Sequence, residues 1–190
     1  MKKVFLVRHG ETAWSLSGQH TGRTDIPLTD HGKKQALSLA PLLKKHSFQK
    51  IFVSPLQRAK ETYDLLHLSA HAELDEDLYE WDYGLYEGKT SKQIKEIHPN
   101  WSLFISGAPG GESVADVGAR AGRMLSKIKA CQGDVLLFSS GHFLRVLAAK
   151  WLEQPPTFGR NLALSTASLS ILGYEHHTPA LLLWNSTTFS

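Results

Sequence analysis

The chain has 190 residues, 42% hydrophobic and 21% charged, with a net charge of +3. That is the balance of a globular chain long enough for a sizeable core, expected as one domain over residues 1–190, and it is too weakly basic to argue for nucleic acid or an anionic membrane surface. Cys131 is the only cysteine, which excludes an internal disulfide.

The chain opens with Lys2, Lys3 and the apolar run Val4–Val7. The run is far shorter than the roughly 7–15 residues of a secretion signal, and no stretch has the length of a membrane span. The cytoplasm is the expected location. Val4–Val7 instead predicts a short buried strand, and Arg8 and His9 follow at its end. Thr29 is a helix N-cap before a face of Ala36, Leu39, Ala40 and Leu43, and Pro41 should kink or end that helix. "KIFVS" (50–54) predicts a second buried strand. Ser54 is expected to cap the next helix with Pro55 at its first position, which puts Arg58 in the first turn. Residues 72–111 carry many aromatics and glycines and no clear period.

Ser113 and Asp116 form a capping-box pattern before the amphipathic run Val114–Ile128. Cys131 follows, read as a small buried or helix-end side chain. "DVLLFSSGH" (134–142) is a third buried strand running into glycine, with a helix from Phe143 to Leu152. "SLSILGY" (168–174) and "ALLLW" (180–184) read as two closing strands, and the tail "WNSTTFS" carries no recognisable mechanism. Strands alternating with helices imply a three-layer α/β/α fold with a mostly parallel central sheet.

In such sheets ligands bind beyond the carboxyl ends of the strands. Arg8 and His9 lie past the first strand, Arg58 past the second and His142 past the third. Two arginines and two histidines therefore face one edge. Guanidinium forks hold phosphoryl oxygens, helix N-termini add N–H donors, and a neutral imidazole is a nucleophile toward phosphorus. Two arginines and a second histidine stabilise the spread negative charge with no metal or cofactor. An acid for the leaving alkoxide is also needed, and "LYEWDYGLYEG" (78–88) offers Glu80, Asp82 and Glu87. Composition does not choose among them. The remaining histidines lack metal-ligand spacing, and Trp81, Tyr83 and Tyr86 read as packing residues.

"VRHGET" (7–12), "SPLQRAKET" (54–62), "LYEWDYGLYEG" (78–88), "GGES" (110–113) and "SSGH" (139–142) together resemble the histidine phosphatase superfamily, the family of cofactor-dependent phosphoglycerate mutases and their phosphatase relatives. The resemblance covers about three quarters of the chain, with the motifs in order. It implies a phosphoglycerate mutase-like fold. His9 would be the residue that becomes phosphohistidine, Arg8, Arg58 and His142 would complete the phosphate pocket, and Glu80 would be the proton donor. "GQHTGRTDIPLT" (18–29) is similar to the family's substrate loop, which implies substrate contacts from Ser15, Gln19, Thr21 and Gly22, with His20 in the same loop. "GHFLR" would put Arg145 near a second phosphate or a sugar. Mutases of the family often carry asparagine where this chain has Ser15, and they are longer after the acid. The resemblance therefore implies a phosphatase for a small phosphorylated metabolite, such as a sugar phosphate or bisphosphate. A phosphoglycerate mutase, or a phospho-ligand-binding module without turnover, is the alternative.

Overall fold

The computed structural model describes residues 2–187. In chain order the elements are β1 (Val4–Arg8), α1 (Ala13–Ser17), α2 (Asp30–Ser38), α3 (Ala40–Leu43), β2 (Lys50–Val53), α4 (Gln57–Asp64), β3 (Ala72–Leu74), α5 (Ser91–Ile97), α6 (Leu103–Ser106), α7 (Val114–Ala130), β4 (Val135–Ser139), α8 (Gly141–Trp151), β5 (Leu169–Glu175) and β6 (Thr178–Ser186). The sheet order is β3-β2-β4-β1-β5-β6. The first four strands pair in parallel, while β5 and β6 close the sheet as an antiparallel hairpin beside β1.

The strand side chains alternate between two apolar clusters. Leu6, Phe52 and Leu137 pack against α7 and α8 through Ala121, Met124, Leu144 and Leu147. Phe5, Val7, Ile51, Val53, Leu136 and Phe138 pack on the other face against Leu43 of α3 and Ala59 of α4. Both faces are covered, which is why these strands read as unbroken apolar runs and why the fold is a three-layer α/β/α sandwich. Among the described residues no helix is long and apolar enough to cross a membrane.

Thr29 caps α2 through Gly32 N, and the helix breaks at Leu39 with Pro41 in the first turn of α3. Ser113 and Asp116 form the expected capping box of α7. The expected start of the helix after β2 is corrected. Ser54 N–H still donates to Phe138 O at 2.9 Å, so the strand geometry runs through Ser54. The Ser54–Pro55–Leu56 turn then intervenes, and α4 begins at Gln57 with Leu56 as its N-cap. Arg58 keeps its place in the first turn. α8 begins at Gly141, two residues earlier than expected, which draws His142 into its first turn. β3 has no signature in the sequence, because it is a three-residue, largely exposed edge strand defined by its pairing to β2.

Candidate active site

β1 and β4 end in register, with Arg8 opposite Ser139, so Arg8–His9 and Ser140–Gly141–His142 leave the sheet side by side. His9 extends the ladder by donating its backbone N–H to Ser139 O at 3.0 Å. Its ring Nδ1 lies 2.7 Å from Gly10 O. A carbonyl only accepts, so in the neutral ring Nδ1 carries the proton and Nε2 keeps its lone pair. The residue is 4% exposed. Burial, then the charges of Arg58 and Arg8, push the His9 pKa well below its ordinary value, against an opposing pull from the Gly10 carbonyl. Near pH 7 the ring is a neutral imidazole with one free nitrogen.

Arg8 donates from Nη1 to Leu164 O at 2.5 Å. Its guanidinium lies close against Gly141, where an added Cβ would stand 3.2 Å from Arg8 Cζ. The glycine of "SSGH" thus makes room for the arginine of "VRHG". Arg58 is fully buried. Nη1 donates to Thr24 O at 3.1 Å, and Nη2 to Thr21 O and Gly22 O, both at 3.0 Å. Arg8 Nε and Arg58 Nε are buried with no partner among the described residues. Orphaned charged donors of this kind beside a neutral imidazole are what an anion's oxygens would satisfy.

Glu80 sits at the N-terminus of α8. Its Oε1 accepts from Trp81 N and Phe143 N, both at 2.8 Å, and its Oε2 from His142 N at 2.9 Å. Ser140, the N-cap by position, makes no side-chain cap bond, so a carboxylate from a distant loop caps the helix instead. His142 Nδ1 meets Tyr83 Oη at 2.6 Å. Burial, then Arg145, His20 and Arg8, push the His142 pKa well below its ordinary value. Burial, then the charge of Glu80, pushes the Tyr83 hydroxyl well above its own. The two groups therefore meet as neutral phenol and neutral imidazole.

A cleft of about 220 Å³ opens between these elements. Arg8, His9, Glu80, His142, Ser15, Gln19, Thr21 and Arg145 line it. Arg145 also anchors itself by Nε to Gly159 O at 2.9 Å and lies over the Phe104 ring. Two residues expected on the wall are placed elsewhere. Arg58 is fully buried and its Nη groups are occupied by carbonyls of the 18–29 loop, which leaves only its Nε free to meet an anion. Gly22 is a packing point: its N–H donates to Glu87 Oε1 at 2.8 Å, and a Cβ there would come within 2.5 Å of Trp81 O.

The three candidate acids separate by place. Glu87 binds Gly22 N and Thr24 N, Asp82 binds Gly84 N, and only Glu80 of the three lines the cleft. Sequence reasoning missed Tyr83 and Thr12 as wall residues. Tyr83 was read as packing, and it is 1% exposed, but a buried tyrosine needs a partner for its hydroxyl, and its position three residues after Glu80 was the available signal. His20 also lines the cleft, 4.7 Å from the Tyr83 ring and 5.5 Å from Trp101, and burial lowers its pKa to about 4.

The family model of the histidine phosphatase superfamily (branch 1) matches residues 4–187. The chain is 42% identical to an acid phosphatase of Mycobacterium tuberculosis, over 92% of this chain and 87% of that protein. It is 33% identical to the sedoheptulose 1,7-bisphosphatase of Saccharomyces cerevisiae, over 78% of this chain and 67% of that protein. A solved structure of an open reading frame product from Mycobacterium tuberculosis superposes with a TM-score of 0.93 at 39% identity, covering 98% of each chain. With its strand-end arginine and histidine in place and the match running almost end to end, the chain belongs to the histidine phosphatase superfamily.

Proposed function

We propose that the chain is a metal-independent phosphatase that hydrolyses a small phosphorylated metabolite, a sugar phosphate or bisphosphate, through a phosphohistidine on His9. The observation that carries this reading is the neutral His9 ring with its free Nε2 on the cleft wall, beside two guanidiniums that each hold a buried, unsatisfied Nε–H. The cleft, about 220 Å³, is smaller than the roughly 300–1,000 Å³ typical of drug-sized sites, which suits a small metabolite. The relatives named as an acid phosphatase and a sugar bisphosphatase support the same substrate class. The reading includes a cytoplasmic location, which a chain with one unpaired cysteine suits.

In the first step the His9 Nε2 lone pair forms a bond to phosphorus and the P–O bond to the alcohol breaks. Arg8 and the Arg58 charge stabilise the phosphoryl oxygens. The leaving oxygen takes a proton from Glu80. Each carboxyl oxygen has two acceptor sites: Oε1 fills both with Trp81 and Phe143, while Oε2 spends one on His142 N. Oε2 is therefore the atom that carries the transferred proton. In the second step water attacks phosphorus, Glu80 takes the water's proton, the N–P bond breaks and inorganic phosphate leaves. His142, its Nδ1 accepting from Tyr83 Oη–H, presents a proton on Nε2 to a phosphoryl oxygen.

The test is to mix enzyme with excess substrate, denature it in base and locate the phosphate by mass spectrometry. Phosphate on His9 is expected, and phosphate on another residue overturns the reading. A panel of sugar monophosphates and bisphosphates, phosphoglycerates and α-ribazole phosphate, scored for phosphate release, identifies the substrate. Isomerisation of phosphoglycerate faster than its hydrolysis would make the enzyme a mutase instead.

A further inference from the structure

α7 turns a basic stripe, Arg120, Arg123 and Lys127, toward the segment that leads into Glu80. Lys127 Nζ binds Asp75 Oδ2 at 2.6 Å and Asp77 Oδ2 at 2.9 Å, and Arg123 Nη2 binds Asp77 Oδ1 at 2.6 Å. These two basic side chains are about half exposed, and ion pairs of that kind contribute little, roughly 0–1 kcal/mol. Arg120 differs in kind. It is 7% exposed and spends all five guanidinium N–H groups. Nη1 donates to Asp77 O at 2.8 Å and to Tyr79 O at 2.9 Å. Nη2 donates to Glu80 O at 3.3 Å and to Glu112 Oε2 at 2.8 Å, and Nε donates to Glu112 Oε1 at 2.6 Å.

Glu112, the acid of "GGES", completes the frame by accepting from Asp82 N at 2.9 Å. Between them the pair grips backbone groups on both sides of Glu80, at 77, 79, 80 and 82. Arg120 also lies 5.0 Å from the centroid of the Phe143 ring, and Phe143 N–H is one of the donors on Glu80 Oε1. One guanidinium thus braces both the backbone that carries the carboxyl group and the residue that donates to it. Neither Arg120 nor Glu112 lines the cleft.

We infer that Arg120 and Glu112 are positioning residues for proton transfer: their bidentate pair fixes Glu80 Oε2 relative to the leaving-group oxygen, and the planar fork of arginine is required for it. The inference rests on the proposed acid role of Glu80. A lysine at 120 has three donors on one nitrogen and reaches only part of the frame. A displacement of about 1 Å in a catalytic group is worth on the order of 10²-fold in rate.

The test compares kcat/KM for glycerol 2-phosphate, whose alkoxide needs a proton, with 4-nitrophenyl phosphate, whose phenolate needs almost none. Arg120→Lys is expected to lower the first by roughly 30–100-fold and the second by less than about threefold. Glu112→Gln keeps the shape of the frame, is expected to show the same bias at smaller size, and stands in if Arg120→Lys fails to fold. In a Glu80→Gln background, Arg120→Lys should add no further bias, because the group it positions is gone. Equal losses on both substrates, or no loss on either, overturn the inference when Glu80→Gln itself shows the bias. If Glu80→Gln shows none, the acid role fails first and the positioning role falls with it.

Discussion

Arg8, half-buried, and Arg58, fully buried, stand beside the same imidazole, yet they are held in different ways. Arg8 is the last residue of β1, and its backbone is fixed by strand register against Ser139. Arg58 enters from a helix and is fixed by three carbonyls of the 18–29 loop, which it fixes in return. The same contrast divides the whole site. Its strand-end half, Arg8, His9 and His142, is an extension of the sheet and inherits the rigidity of a core packed on both faces. Its loop half, residues 12–29 with 80–88, packs Trp81, Tyr83 and Tyr86 into the apolar core, and it is joined across the site by polar contacts between segments far apart in sequence.

The largest effect should come from the strand-end half. His9→Ala is expected to lower kcat by on the order of 10⁴-fold or more while leaving the thermal melt nearly unchanged, measured by phosphate release and by calorimetry. Near wild-type hydrolysis by this variant would remove the mechanism.

The two arginines should separate next. Arg8→Ala is expected to cost roughly 10²–10³-fold in kcat/KM with a small change in melting temperature. Arg58→Ala is expected to lose activity and also about 3 kcal/mol of stability, since it leaves three loop carbonyls without their donor. Equal losses of stability in the two variants would erase the distinction between the halves.

Gly22→Ala probes the loop half alone. A Cβ at 2.5 Å from Trp81 O forces the loop to shift, at about 1–3 kcal/mol. On 4-nitrophenyl phosphate, whose leaving group needs almost no proton, KM should rise more than kcat falls, because Arg8, His9 and His142 keep their places at the strand ends. A fall in kcat with KM unchanged would show that the loop positions the chemistry as well as the substrate.

The smallest effect is in the pH profile. His9 and His142 are both held well below the ordinary histidine value, by burial first. The acid limb of kcat/KM on 4-nitrophenyl phosphate, corrected for the substrate's own ionisation, should therefore lie below pH 6.5. The sign for stability follows from linkage. A histidine whose pKa is lowered by folding is protonated more readily when unfolded, so stability declines as pH falls below about 6.5 toward the folded value. His9→Ala should lose part of that decline. An acid limb at or above pH 6.5 would show that burial and the neighbouring arginine charges do not hold the rings neutral.

Much of this architecture was legible in the residues. Unbroken apolar runs marked β1, β2 and β4, because parallel strands covered on both faces leave no polar alternation to confuse the pattern. Thr29 and the Ser113–Asp116 box marked two helix starts, because capping is a contact within four residues. β3 was invisible, since an exposed three-residue edge carries no period of its own. The turn at Ser54–Pro55–Leu56 was misplaced because the strand hydrogen bond to Phe138 that carries β2 on through Ser54 belongs to the neighbouring strand.

The sequence by itself determined which side chains stand at the strand ends, since strand and helix periods are local and each run announces where it stops. It did not determine what those side chains touch. That Glu80 caps α8, that Tyr83 meets His142, that Arg58 grips the 18–29 loop and that Gly22 is a packing point were all decided by the tertiary structure. Each depends on a hydrogen bond or close approach between segments more than thirty residues apart. Such contacts have no periodicity to read, because they are set by strand register and by which backbone groups are left without partners once the sheet has formed.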